Sequence, residues 1–139
     1  GSTVYPSLRA AQRLEEIGID AAIINSRFLK PLDGDLLCHW ATRTGRVLTV
    51  EENVLMGGFG SAVLELFQEK NLLSIPVKRL GIPDCFIEHG PQSLLREKYG
   101  IDENGIFREA KAMVEEGRED SPHSSQNRAS VVETHPNPK

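Results

Sequence analysis

Glu51 and Glu52, followed by Gly57, Gly58, Phe59 and Gly60, come nearest to a chemical constellation in this chain. Two adjacent carboxylates suggest acid/base work, because the charge on one raises the pKa of the other. Neighbours along a strand point to opposite faces, however, so the pair cannot readily act on one substrate atom, and solvated or interface charges are the expected reading. Glycines ahead of a helix suggest an anion cradle, since exposed amides and the helix dipole attract negative charge there. Against it, Val63 stands where a dinucleotide fingerprint has its third glycine, and the two glutamates just upstream would oppose a phosphate. A tight structural turn is therefore expected, with an anion site and a protein contact as the alternatives.

Other groupings are weaker. Asp84, Cys85, Glu88 and His89 are ligand types, but their spacing matches none of the common zinc patterns, and His89 reads as a hydrogen-bonded loop residue. Cys38 and His39 would point in different directions from a helix, which disfavours a thiol nucleophile with its base. With no paired thiol motif, Cys38 and Cys85 read as buried thiols of a reducing compartment. Asn25, Arg27, Lys30 and Asp33 follow a strand end and are candidates for a partner contact.

The elements that must position these residues follow from periodicity. The apolar run Val47 to Val50, the glycines, and Phe59, Ala62, Val63, Leu66 and Phe67 at helical spacing predict strand, turn and helix, the kind of junction where ligands of α/β sheets gather. Upstream, Ser7 to Ile17 predicts an amphipathic helix stopped by Gly18, and Ala21 to Ile24 predicts a strand buried on both faces. Asp33 is placed to cap a helix through Leu36, Leu37, Trp40 and Ala41 that ends near Gly45. The junction helix should run to about Lys70. Val77 to Ile82 predicts a third strand, whose Lys78 and Arg79 suggest an edge or an interface. Strand starts roughly 30 residues apart imply βαβ units with right-handed crossovers and a parallel sheet. Gln92 to Tyr99 reads as a short helix ended by Gly100. Asp102 then caps a last helix carrying Ile106, Phe107, Ala110, Met113 and Val114, which should pack on the sheet.

A chain of 139 residues, 39% hydrophobic and 26% charged, fits one α/β domain. Its net charge of -4 and lack of a basic block argue against nucleic acid and anionic membranes as partners. No apolar stretch approaches the roughly 20 residues that span a bilayer, so the cytoplasm is the expected compartment. Residues 118–139, poor in apolar side chains, are expected to form a disordered tail in which His123 and His135 are solvated. Residues 1–117 would form the domain. It opens with Gly1-Ser2-Thr3 directly before a helix, with no strand ahead, so either the sheet is small or a strand is missing.

Three segments together carry a resemblance: Asn25-Ser26-Arg27-Phe28-Leu29-Lys30-Pro31-Leu32-Asp33, the stretch from Thr49 through Gly57-Gly58-Phe59-Gly60 to Val63, and Leu80-Gly81-Ile82-Pro83-Asp84 with Glu88-His89-Gly90. They resemble the C-terminal domain of the 1-deoxy-D-xylulose-5-phosphate synthase family, and the glutamate-glycine motif is similar to the third domain of transketolases and of 2-oxo acid dehydrogenase β subunits. The resemblance runs from Gly1 to about Glu116. It implies a three-layer α/β sandwich with a mostly parallel sheet, transketolase C-terminal-domain-like, whose usual first strand is missing here. It also implies an enzyme that condenses pyruvate with glyceraldehyde 3-phosphate for isoprenoid precursor synthesis, using thiamine diphosphate and magnesium held by its other domains. This chain would then hold no cofactor or metal and no catalytic residue, and would pack against the remaining domains and a second copy in a homodimer. Glu51, Glu52, Gly57, Gly58, Phe59, Gly60 and His89 remain as an interface or anion site. An open strand edge would drive self-association or recruitment of an extended segment.

Overall fold

The computed structural model describes residues 1–119. Its elements are α1 (Val4–Glu16), α2 (Gly34–Thr44), β1 (Val47–Val54), α3 (Phe59–Glu69), β2 (Val77–Ile82), α4 (Gln92–Lys98) and α5 (Glu103–Glu119). β1 and β2 pair in parallel, Val47 opposite Val77 through Val50 opposite Leu80. An irregularity follows before Val54 meets Ile82. Bulges of this kind re-aim side chains, and this one falls at Glu51 to Asn53.

Alternation along the strands builds three layers. On one face Leu48, Val50, Leu80 and Ile82 pack with Ala10 of α1 and with Ile101, Ile106 and Phe107 at the start of α5. On the other, Val47 and Val77 pack with Leu37 and Ala41 of α2 and Val63 and Phe67 of α3. Val63 and Phe67, one helical turn apart, are the largest fully buried side chains and fix α3 against β1. The last helix packs on the sheet side as its pattern implies, and Arg13 of α1 both pairs with Glu103 and lies over the Phe107 ring.

Helix ends follow local chemistry. The Asp33 carboxylate accepts the Leu36 amide at 3.1 Å, and Gly45 closes α2 in the left-handed region at φ 71°. Asp102 accepts the Gly105 amide at 2.9 Å. Gly18 and Gly100 take positive φ after α1 and α4, where a β-carbon would be strained. Asp33→Ala should cost about 1 kcal/mol, the usual loss for a removed N-cap, measured by urea unfolding.

The structure refines or corrects some of these expectations. The run Ala21 to Ile24 is extended but lies outside the sheet, and only Ile24 reaches the core. Its apolar pattern was that of a strand, but a strand exists only if a neighbour accepts its ladder, and none does among the described residues. β2 is an edge strand among the described residues, as its charges suggest, but Lys78 and Arg79 are not free there. Lys78 pairs with Glu109 of α5 at 3.4 Å, and Arg79 turns under the glycine turn. Arg118 and Glu119, assigned to a tail, continue α5; residues 120–139, His123 and His135 among them, lie outside the described residues.

Candidate functional site

Helix α3 starts on Gly58, which offers no side chain to cap it. Its exposed amides are instead met by Glu51, eight residues upstream on β1: the carboxylate accepts Phe59 N–H at 2.8 Å and Gly60 N–H at 2.9 Å. Glu51 is only 7% exposed, so these are charge-assisted bonds in a largely dry place, at the positive end of the helix dipole. The carboxylate thus sits where a bound phosphate would sit. Glu51 is an internal cap and not a solvated charge.

The rest of the turn is held by polar contacts from two further elements. Ser61 Oγ donates to Leu55 O at 2.8 Å and accepts from Gly57 N–H at 3.2 Å. Arg79 of β2 donates from one guanidinium nitrogen to Leu55 O and to Ser61 Oγ, each at 3.0 Å. Gly57 has φ 70°, while Gly58 and Gly60 are small for a different reason. A methyl on Gly58 would strike the Glu51 carboxylate and the Val54 carbonyl, and one on Gly60 would meet Thr49 and Arg79. Thr49 Oγ1, packed against Gly60, is buried with no hydrogen-bond partner among the described residues. The outcome is a stiff turn that presents Met56, 70% exposed, to solvent.

Glu52 points the other way, as neighbours on a strand should. It accepts from Ser2 Oγ ahead of α1, from Arg96 Nε and from Gln92 Nε2 of α4, so it ties three segments together. The hydrogen bond from Arg96 holds its carboxyl below the usual range, with Ser2 adding to the effect and partial burial opposing it. A depressed folded-state pKa stabilises the fold above the unfolded value near 4.5 and loses that contribution as pH falls through the folded value. The melting-temperature gap between the native chain and Arg96→Gln should therefore be constant from pH 7 to 5 and close at lower pH.

The structure brings together Glu51, Gly57, Gly58, Phe59 and Gly60, while separating Glu52 and His89 from that group. His89 is exposed on the loop before α4. A cavity of about 200 Å³ lies beside Glu52, lined by Ile82, Leu95, Arg96 and Tyr99 among others. It is smaller than the roughly 300 Å³ at which ligand pockets begin. No cluster of three or more His, Cys, Asp or Glu suited to a metal occurs among the described residues. No helix among them is long and apolar enough to cross a membrane. Sequence reasoning missed Arg79, Ser61 and Arg96. One signal was present: a helix opening on glycines lacks a capping side chain, so an acceptor had to come from elsewhere.

A parallel βαβ core with helices on both faces and a self-capped glycine turn at the strand end defines a three-layer α/β domain. The family model for the transketolase C-terminal domain matches residues 1–106, and the chain belongs to that family. Within it the sequence is similar to 1-deoxy-D-xylulose-5-phosphate synthases. It is 50% identical to that of Desulfotalea psychrophila over 115 residues, 83% of this chain and 18% of the relative. It is 53% identical to synthase 1 of Geobacter sulfurreducens over 114 residues, 82% of this chain and again 18% of the relative. The chain therefore matches about a fifth of the length of these relatives. Among solved structures, a split-gene transketolase described as an inactive β4 tetramer superposes with TM-score 0.73 at 39% identity, over 81% of this chain and 36% of that one.

Proposed function

We propose that this chain is the C-terminal assembly domain of a cytoplasmic, thiamine diphosphate-dependent 1-deoxy-D-xylulose-5-phosphate synthase, a transferase condensing pyruvate with glyceraldehyde 3-phosphate. The domain extends to the end of α5 at Glu119. It packs against the remaining domains and a second copy, and turns over no substrate alone. The observation that carries this reading is about 50% identity over most of this chain to enzymes of that name, confined to about a fifth of their length. The split-gene transketolase gives a precedent for a separately encoded piece that assembles with copies of itself.

The residues present do not fit thiamine diphosphate or magnesium. The Phe59 and Gly60 amides, the best diphosphate donors on offer, already bond the Glu51 carboxylate, whose charge would oppose a diphosphate. Both groups are accordingly assigned to the other domains, and no catalytic step is routed through this one. The same contacts disfavour the alternative of a phosphometabolite-binding regulatory module.

The test is a chimera in the Geobacter sulfurreducens relative, with its matching segment replaced by residues 1–119 or deleted. The chimera should keep dimer mass and pyruvate-dependent turnover, and the deletion should lose both. Full turnover and unchanged mass in the deletion would overturn the assembly role, and turnover by this chain alone would overturn its inactivity.

A further inference from the structure

Three loops come together at the C-terminal end of the strands. β1 runs into the 55–58 turn and β2 into the 83–91 loop, and the two are adjacent because Leu55 N–H donates to Ile82 O at 2.9 Å. The third is the 26–31 loop. In a parallel ladder, successive residues turn their N–H and C=O alternately to either side. Val47 N–H donates to Pro76 O, so the Val50 carbonyl faces away from β2. Thr3 Oγ1 reaches that carbonyl at 3.3 Å, Ser2 Oγ bonds Glu52, and Gly1 N donates to Asn25 Oδ1 at 2.8 Å. Asn25 therefore lies beyond the opposite edge of β1, near its C-terminal half. Across one end of the domain the loops stand in the order 26–31, 55–58, 83–91.

Each exposes one large apolar side chain, Phe28 at 69%, Met56 at 70% and Phe86 completely, so none of the three serves the core. The charges beside them differ in sign. Arg27 and Lys30 flank Phe28, Asp84 and Glu88 flank Phe86, and the Met56 turn carries no charge. All four charged side chains are exposed, and Glu88 stays 84% exposed even with Lys98 at 3.4 Å. The outcome is an apolar strip with a basic end and an acidic end. Such a strip complements itself: a two-fold axis through its middle sets each basic end against an acidic one, and Phe28 against Phe86. An uncharged centre with a polar rim is also the usual build of a specific interface. A partner surface of one sign would meet repulsion at one end of the strip.

We infer that this end of the domain is a self-association face, and that its occupant is a second copy of the chain related by a two-fold axis near Met56. Arg27 and Lys30 of each copy meet Asp84 and Glu88 of the other. The inference rests on the second copy assigned above as a partner, and it names the face that receives it.

Sedimentation velocity of the full chain tests it with two charge-reversed variants, Arg27→Glu with Lys30→Glu, and Asp84→Lys with Glu88→Lys. The native chain should show a concentration-dependent dimer. Either variant alone should raise the dimer Kd by about tenfold or more, since like charges then face each other at both ends. An equimolar mixture of the two should recover the dimer, because ends of opposite sign meet again. Phe86→Ser should weaken association as well, and this fully exposed side chain is not one the fold needs, so the test does not hang on the charge variants folding. Native-like association of either variant would overturn the face, and so would a mixture that stays monomeric. A native chain that remains monomeric at millimolar concentration would overturn it too, the strip then serving some other partner. The chimera can keep its dimer mass through its other domains, so failure here leaves the assembly reading to that separate test.

Discussion

Gly60→Ala is expected to destabilise the domain by about 3 kcal/mol, the upper part of the usual range for overpacking a tight interior. The new methyl would lie 2.7 Å from both Arg79 Cδ and Thr49 Oγ1. Neither neighbour has an easy retreat. Arg79 is fixed at its far end by Leu55 O and Ser61 Oγ, so moving its stem breaks the contacts that hold the turn. Thr49 is 3% exposed within β1. Gly34→Ala is the natural control, because its methyl would meet only the end of Leu66 at 3.2 Å, a side chain free to adjust. Urea unfolding should separate the two variants clearly. Parity between them would mean that Arg79 yields at little cost. If the clash with Arg79 dominates, Arg79→Ala should recover part of the loss in Gly60→Ala, a coupling that a double-mutant cycle measures directly.

Much of the fold was legible because its signals are local. Helical spacing of Phe59, Val63, Leu66 and Phe67 is a property of one segment, and so are the Asp33 and Asp102 caps and the glycine stops at 18, 45 and 100. The failures were relational. Ala21 to Ile24 carries the composition of a buried strand, yet pairing depends on what lies beside it. Arg79 read as the mark of an edge or an interface because a charge inside a strand usually is one, and only a glycine on a different element makes room for it under the turn. Glu51 was weighed as a charge near a phosphate site rather than as the group filling that site. Deciding between these needed the distance across the turn, which eight residues of intervening sequence do not reveal. The same holds for Glu52, whose opposite orientation was legible from the strand period but whose partners Ser2, Gln92 and Arg96 come from both ends of the domain.

Glu51→Ala should also cost about 3 kcal/mol, since it leaves the Phe59 and Gly60 amides without an acceptor in a largely buried place. Glu51→Gln should recover little. Its amide offers one oxygen where two are used, and its NH2 group would face a backbone donor. The two variants differ from ordinary core lesions in a second respect. Removing the carboxylate uncovers a helix N-terminus shaped for an anion, so inorganic phosphate should raise the melting temperature of Glu51→Ala by mass action while leaving the native chain unmoved. Equal phosphate shifts in both would show that the anion binds elsewhere and that Glu51 does not fill the cradle. No shift in the alanine variant, with stability lost as expected, would mean that the turn collapses without its cap. The carboxylate would then be what shapes the α3 N-terminus as well as what occupies it.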